Sequence, residues 1–184
     1  MHASGSCHMQ QGKIAVYNTL GVMQLRTGTP SDAEAIASLI ATFQPRLTDN
    51  PDGSGAEQYL ASVTKKAEEG YLASERFEYV LACQDETLLG FIAMRDRTHV
   101  FHLFVRSDHQ NKGLARELWH EARRRTEVNQ PDPAYTVNSS LIAVRVYEAF
   151  GFRAAGPVAR VHGISFLPMR RPRQDDASQE TPDK

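Results

Sequence analysis

Between Phe77 and Val105 three apolar runs follow one another with almost nothing between them. Phe77 to Gln84 is separated from Leu88 to Arg95 by Asp85-Glu86-Thr87, and that run from Thr98 to Val105 by Asp96-Arg97. A break of two or three polar residues is too short for a crossover helix, so the runs must pair as an antiparallel meander. No helical bundle accommodates such a stretch. Any architecture for this chain therefore starts from a sheet of at least three adjacent strands.

The flanks add helices and further strands. Met23-Gln-Leu-Arg26 alternates like a short strand. Ser31-Asp-Ala-Glu34 after Pro30 has the form of a capping box, and Ile36, Leu39, Ile40 and Phe43 follow at helical spacing until Pro45. Residues 45–55 are rich in breakers. A second helix is expected from Glu57 to Glu69, stopped by Gly70. Beyond the meander, a helix opens near Gly113 and runs to about Arg125. A strand at Ala134–Val137, a short helix at Ala143–Phe150 ended by Gly151, and a hairpin of Phe152–Ala159 with Gly163–Met169 complete the pattern. The sum is a mixed α/β chain with a mostly antiparallel central sheet of about seven strands and about four helices. Its 184 residues suit a single domain over 23–170, between a leader (1–22) and a polar, disordered tail (171–184).

Charge and cysteine usage narrow the partners. The formal net charge is −1, so no overall field gathers nucleic acid or an anionic membrane. Any anion site has to be local. Cys7 and Cys83 do not form a disulfide framework, and no apolar run is long enough for a bilayer. A cytoplasmic protein fits these features.

The chemistry concentrates where the third strand of the meander gives way to a helix. His102-Leu-Phe-Val105 leads into Gln110-Asn-Lys-Gly-Leu-Ala115, and an amphipathic helix through Leu118 and Trp119 follows. Backbone N–H groups at a helix start lack internal partners and the dipole is positive there, so the place suits phosphate. Gly113 admits close approach of a ligand to backbone, Ala115 keeps the first turn narrow, and Lys112 and Arg116 add charge. The chain lacks both the Gly-Lys-Ser/Thr of a phosphate loop and the three glycines of a dinucleotide fingerprint.

Gln110-x-x-Gly113-x-Ala115 resembles the acetyl-CoA signature of the GCN5-related N-acetyltransferase (GNAT) superfamily. A second block, Val137-Asn-Ser-Ser140 followed by Tyr147-Glu-x-x-Gly151-Phe152, resembles that superfamily's other cofactor motif. The resemblance covers about residues 23–170 and implies a GNAT-like fold with a V-shaped split between the family's fourth and fifth strands, here Thr98–Val105 and Ala134–Val137. It implies that acetyl-CoA is a co-substrate lying in that split. Phe104 and Val105 would hold its pantetheine arm, and Gln110, Asn111, Lys112, Gly113, Leu114, Ala115 and Arg116 its phosphates. In the commoner pattern an Asn stands seven positions before the Tyr. Ser140 occupies that position here and Asn138 stands nine before Tyr147; Asn138 is taken as the cofactor contact.

The implied reaction is direct acetyl transfer to an amine, with no covalent acyl-enzyme and no metal. Tyr147 holds the family's position for protonating the leaving thiolate. His99 and His102 are the candidate bases. Strand alternation puts them on opposite faces, with His99 preferred because some relatives carry a base there. The acceptor, a small molecule or a protein amine, is expected between residues 45–60 and the last hairpin, where Asp49, Asp52 and Glu57 would attract a cation. A homodimer is compatible with the reading. The alternatives are an acetyl-CoA-binding sensor without turnover and a plain interaction domain.

Overall fold

The structure is a computed structural model that describes residues 14–18 and 21–173. Among the described residues, nine strands form one sheet: β1 (Ile14–Asn18), β2 (Gly21–Thr27), β3 (Phe77–Gln84), β4 (Thr87–Arg95), β5 (His99–Val105), β6 (Tyr135–Ser140), β7 (Arg153–Ala154), β8 (Ala159–Val161) and β9 (Ile164–Arg171). Their order is β1-β2-β3-β4-β5-β6-β9-β7, with β8 paired to β9, and every pairing but β5–β6 is antiparallel. Six helices accompany them: α1 (Ala33–Ala41), α2 (Gln44–Leu47), α3 (Glu57–Ser62), α4 (Lys65–Leu72), α5 (Leu114–Glu127) and α6 (Val144–Ala149).

The meander forms as the short breaks require. Asp96 and Arg97 both adopt positive φ, 48° and 68°, the backbone that makes a two-residue turn follow the strand twist. Tyr79 to Cys83 are all buried, because the middle of the sheet is covered on both faces and continuous rather than alternating apolar sequence results. One face carries α5, whose Leu114, Leu118, Trp119 and Ala122 pack with Val80, Ile92 and Val100. The other carries α1 and α4, with Ile36 and Ile40 against Tyr79, Leu81 and Phe91. Burying one such side chain contributes about 1.5–3 kcal/mol, so these two layers fix the sheet between them.

Several sequence expectations change. The expected leader contains β1, which pairs with β2 from Ile14↔Leu25 to Asn18↔Gly21; its other positions up to 20 lie outside the described residues, as does the expected tail from 174 onward. The first capping box is Thr29 with Asp32, preceding a single 3-10 turn, rather than Ser31 with Glu34. The helix expected over 57–69 is two helices. Thr64 accepts a hydrogen bond from the Ala67 N–H and starts α4 anew, so Gly70 lies inside α4. Polar side-chain competition for backbone donors explains the break.

Two departures from regular pairing shape the site. β5 and β6 are paired only at His99↔Thr136 and Val100↔Val137, after which they diverge. The V-shaped split therefore opens toward the C-terminal ends of both strands. In addition, β5 bulges: Ala93 pairs with His102 and Met94 with Val100, leaving Phe101 as the extra residue. A bulge resets the alternation of everything beyond it. His99 pairs with Arg95 and His102 with Ala93, partners two apart on β4. Both histidines therefore face the α1/α4 side, and the expectation of opposite faces is corrected.

Candidate active site

The loop after β5 is built to leave backbone donors open. Gln110 turns back and donates from Nε2 to the Val105 carbonyl at 3.0 Å, tying the loop to the strand end. Asn111 and Gly113 then take positive φ, 59° and 88°, and Gly113 becomes the N-cap of α5. Intrahelical bonding begins only with Arg116 and Glu117, whose N–H groups donate to the Gly113 carbonyl at 2.9 and 3.1 Å. Among the described residues, the N–H groups of Asn111, Lys112, Gly113, Leu114 and Ala115 have no acceptor. Five consecutive free donors at a helix N-terminus form a concave anion receptor. A Cβ on Gly113 would meet no protein atom within 4 Å, so the space before the loop is open to a ligand.

That space belongs to a cleft of about 610 Å³ running through the split. Leu103, Phe104 and Val105 supply one wall, and the free β5 edge beyond Val100 presents unpaired backbone to it. The loop and the start of α5 supply one end. The segment from Ser140 to Phe150 closes the far wall, and Phe43, Arg46 and Leu47 enter from α2 and its N-cap. Three arginines, Arg46, Arg116 and Arg145, line the cleft and no Asp or Glu does. In a chain of net charge −1 this is a local cationic field suited to a polyanion.

The residues expected to bind cofactor divide accordingly. Phe104, Val105, Gln110, Asn111, Gly113, Leu114, Ala115, Arg116 and Tyr147 line the cleft. Lys112 is exposed and stands outside the lining. Asn138 stands outside the lining: it is an exposed residue of β6 that pairs with Pro168, whereas Ser140, at the end of the strand, reaches the cleft. β6 extends further than its apolar run suggests, and the split brings only its last residue to the ligand space. Sequence reasoning missed Phe43, Arg46 and Leu47, whose loop-side positions carry no local signal, and Arg145, one helical turn from Ala149 on the cleft wall.

Tyr147 is buried, at 5% exposure, against Phe150 and Phe152. Burial pushes its hydroxyl well above the ordinary tyrosine value, so it keeps its proton at neutral pH. Neither candidate base lines the cleft. His99 sits at the closed end of the split, its Nδ1 2.8 Å from Thr136 Oγ1. Burial, aided by Arg95, lowers its pKa to about 4. His102 is buried on the α1/α4 side between Phe91, Phe101 and Phe104. Its Nε2 faces Glu68 Oε1 at 3.2 Å, out of line for a hydrogen bond, while Tyr79 donates to Glu68 Oε2 at 2.7 Å. Glu68 is fully buried.

The acidic residues expected to attract an amine stand outside the cleft lining and accept local hydrogen bonds. Asp49 accepts from Ser165 Oγ at 2.7 Å, Asp52 from the Ser54 N–H and Glu57 from the Gly55 N–H, both at 2.9 Å. Asp49 ties the loop to the β8–β9 hairpin, where Thr48 bridges Ile164, while the Asp52 and Glu57 bonds lie within the loop.

The family model described as Acetyltransferase (GNAT) domain matches residues 47–172. The chain belongs to the GNAT acetyltransferase family. Solved GNAT structures share its fold. A GCN5-related N-acetyltransferase from Rhodopseudomonas palustris superposes with TM-score 0.65 at 16% identity, over 80% of this chain and 94% of that one. The PaiA N-acetyltransferase of Thermoplasma acidophilum, in complex with coenzyme A, gives 0.62 at 16% identity over 82% and 98%. The ribosomal-protein-S18-alanine N-acetyltransferase of Escherichia coli gives 0.59 at 16% identity over 82% and 93%. No curated protein matches the chain in sequence. Among the described residues no helix is long and apolar enough to cross a membrane, and no group of three or more His, Cys, Asp or Glu is arranged to hold a metal ion.

Proposed function

We propose that this GNAT protein transfers the acetyl group of acetyl-CoA directly to an amine. The observation that carries the proposal is the run of five unpartnered N–H groups, Asn111 to Ala115, opening onto a cleft that carries Arg116 and Arg145 beside them and no carboxylate. Such a site suits a pyrophosphate, and the free β5 edge suits an extended amide-bearing arm that pairs as an added strand. Acetyl-CoA has both, and when bound it supplies the acetyl thioester.

The roles follow from position. Backbone N–H groups of the loop hold the pyrophosphate, Arg116 and Arg145 add charge, and Lys112 contributes field from the rim. Phe104 and Val105 align the arm. Tyr147 keeps a proton at neutral pH and gives it to the departing thiolate. His102, on the α1/α4 face beside Phe104 with its Nε2 3.2 Å from Glu68 Oε1, is the better base of the two histidines. A His99 of pKa about 4 accepts a proton from an ammonium poorly. The buried Cys83 has its thiol pushed up by burial on the opposite side of the core from Tyr147, which accords with direct attack.

The test is twofold. Acetyl-CoA should bind by calorimetry, and free thiol should be released from it only when an amine is present. Binding without release on a broad amine panel would favour a sensor; no binding would remove the proposal.

A further inference from the structure

The cleft passes from one face of the sheet to the other. Leu114, Ala115, Ala143 and Tyr147 belong to the core on the α5 side, while Phe43, Leu47 and Phe104 belong to the core on the α1/α4 side. The anion receptor and Arg116 lie at the α5 end. A thioester anchored there and aligned along β5 presents its acyl group toward the α1/α4 mouth. An acceptor enters from that mouth, past Phe43, Arg46 and Leu47.

Arg46 is the charged group at that mouth. It is exposed, its guanidinium lies 5.7 Å from the Phe43 ring centroid, and no carboxylate of the described residues pairs with it. Elsewhere the arginines are largely neutralised: Arg26 by Asp32, Arg76 by Asp96, Arg106 by Asp108, Arg124 and Arg125 by Glu121. Asp49, Asp52 and Glu57 accept hydrogen bonds from Ser165 and backbone N–H groups, and none of them lines the cleft. An acceptor here meets an unpaired cation on an aromatic floor and no carboxylate in the cleft wall. A plain di- or polyamine gains nothing from that mouth.

Resting on the acetyl-CoA reading, we infer that the acceptor is an amine bearing a carboxylate, of the amino-acid class, whose carboxylate is held by Arg46. The guanidinium fork matches a carboxylate in two parallel hydrogen bonds, and the Phe43 ring keeps it flat and forward.

The test uses the full chain, saturated with acetyl-CoA, and measures thiol release for common α-amino acids beside their carboxamides, with phosphoethanolamine beside ethanolamine as the phosphate arm. At least one acid should exceed its carboxamide in kcat/KM by about tenfold or more, the discrimination of a charge-assisted pair. Arg46→Gln should bring that ratio to within about twofold through KM, while leaving the Kd of acetyl-CoA within about twofold. Folding of the variant is verified by that same Kd. Transfer to no carboxylate-bearing member, preference for carboxamides or for the phosphate arm alone, or a ratio unchanged in Arg46→Gln overturns the inference. So does an acetyl-CoA Kd weakened as much as the acceptor KM, which would make Arg46 a cofactor ligand. Failure of the unmodified protein to bind acetyl-CoA overturns the cofactor reading, and the inference with it.

Discussion

Gly113→Ala separates the two roles that the structure gives one glycine. Gly113 has φ +88°, and a Cβ there meets no protein atom. Its conformational cost is therefore the strain of an L-residue in the left-handed region, about 1–2 kcal/mol. For a domain of this size that lowers Tm by roughly 2–8 °C. Gly55 is an internal control: its φ is +82°, a Cβ there also meets nothing, and it lies outside the cleft lining. The variants should lose similar stability without ligand. Acetyl-CoA at a hundredfold its Kd should stabilise the unmodified protein by about 2.7 kcal/mol, roughly 5–11 °C. The new methyl group of Gly113→Ala stands where the phosphate must approach the N–H groups. A hundredfold loss of affinity would leave only about 0.4 kcal/mol at the same ligand concentration, near one degree. Gly55→Ala should keep the full shift. Differential scanning calorimetry with and without acetyl-CoA reads both quantities. Full ligand stabilisation in Gly113→Ala, or its loss in Gly55→Ala, would refute the assignment of the receptor to the 111–115 loop.

Three further outcomes are expected. Tyr147→Phe keeps the ring packed on Phe150 and Phe152 but removes the proton, so kcat should fall about a hundredfold with little change in the acetyl-CoA Kd; unchanged turnover would make Tyr147 a packing residue. Ser140→Ala should weaken acetyl-CoA binding more than Asn138→Ala, because only Ser140 reaches the cleft; calorimetric Kd values in the opposite order would restore Asn138. His99 has a folded pKa near 4 against 6.5, so the unfolded chain takes up a proton first. Its stabilising contribution is present above about pH 6.5 and is lost as pH falls toward 4. His99→Gln should flatten the decline in unfolding free energy over that window, measured by denaturant titration, and should leave the rate profile near neutrality unaltered.

What the residues alone determined is local. The meander was legible because two- and three-residue breaks leave antiparallel pairing as the one solution, and β3 ends where its apolar run does, at Phe77 and Gln84. The helix start at Gly113 was legible because a glycine at an N-cap before an amphipathic run needs no distant partner. The family resemblance followed from that spacing. The tertiary structure decided what depends on pairing between strands far apart in sequence. The bulge at Phe101 is an unpaired backbone residue that no side chain announces, yet it moves His99 and His102 onto one face. The split exists because β5 and β6 share only two register positions, and where it opens is what admits Ser140 and leaves Asn138 outside. Arg46 reaches the cleft from α2, whose C-cap Thr48 is bridged to Ile164 of β9, a partner far away in sequence. Alternation and spacing describe a strand by itself; which edge is free, and what stands across from it, is settled by the register of its neighbours.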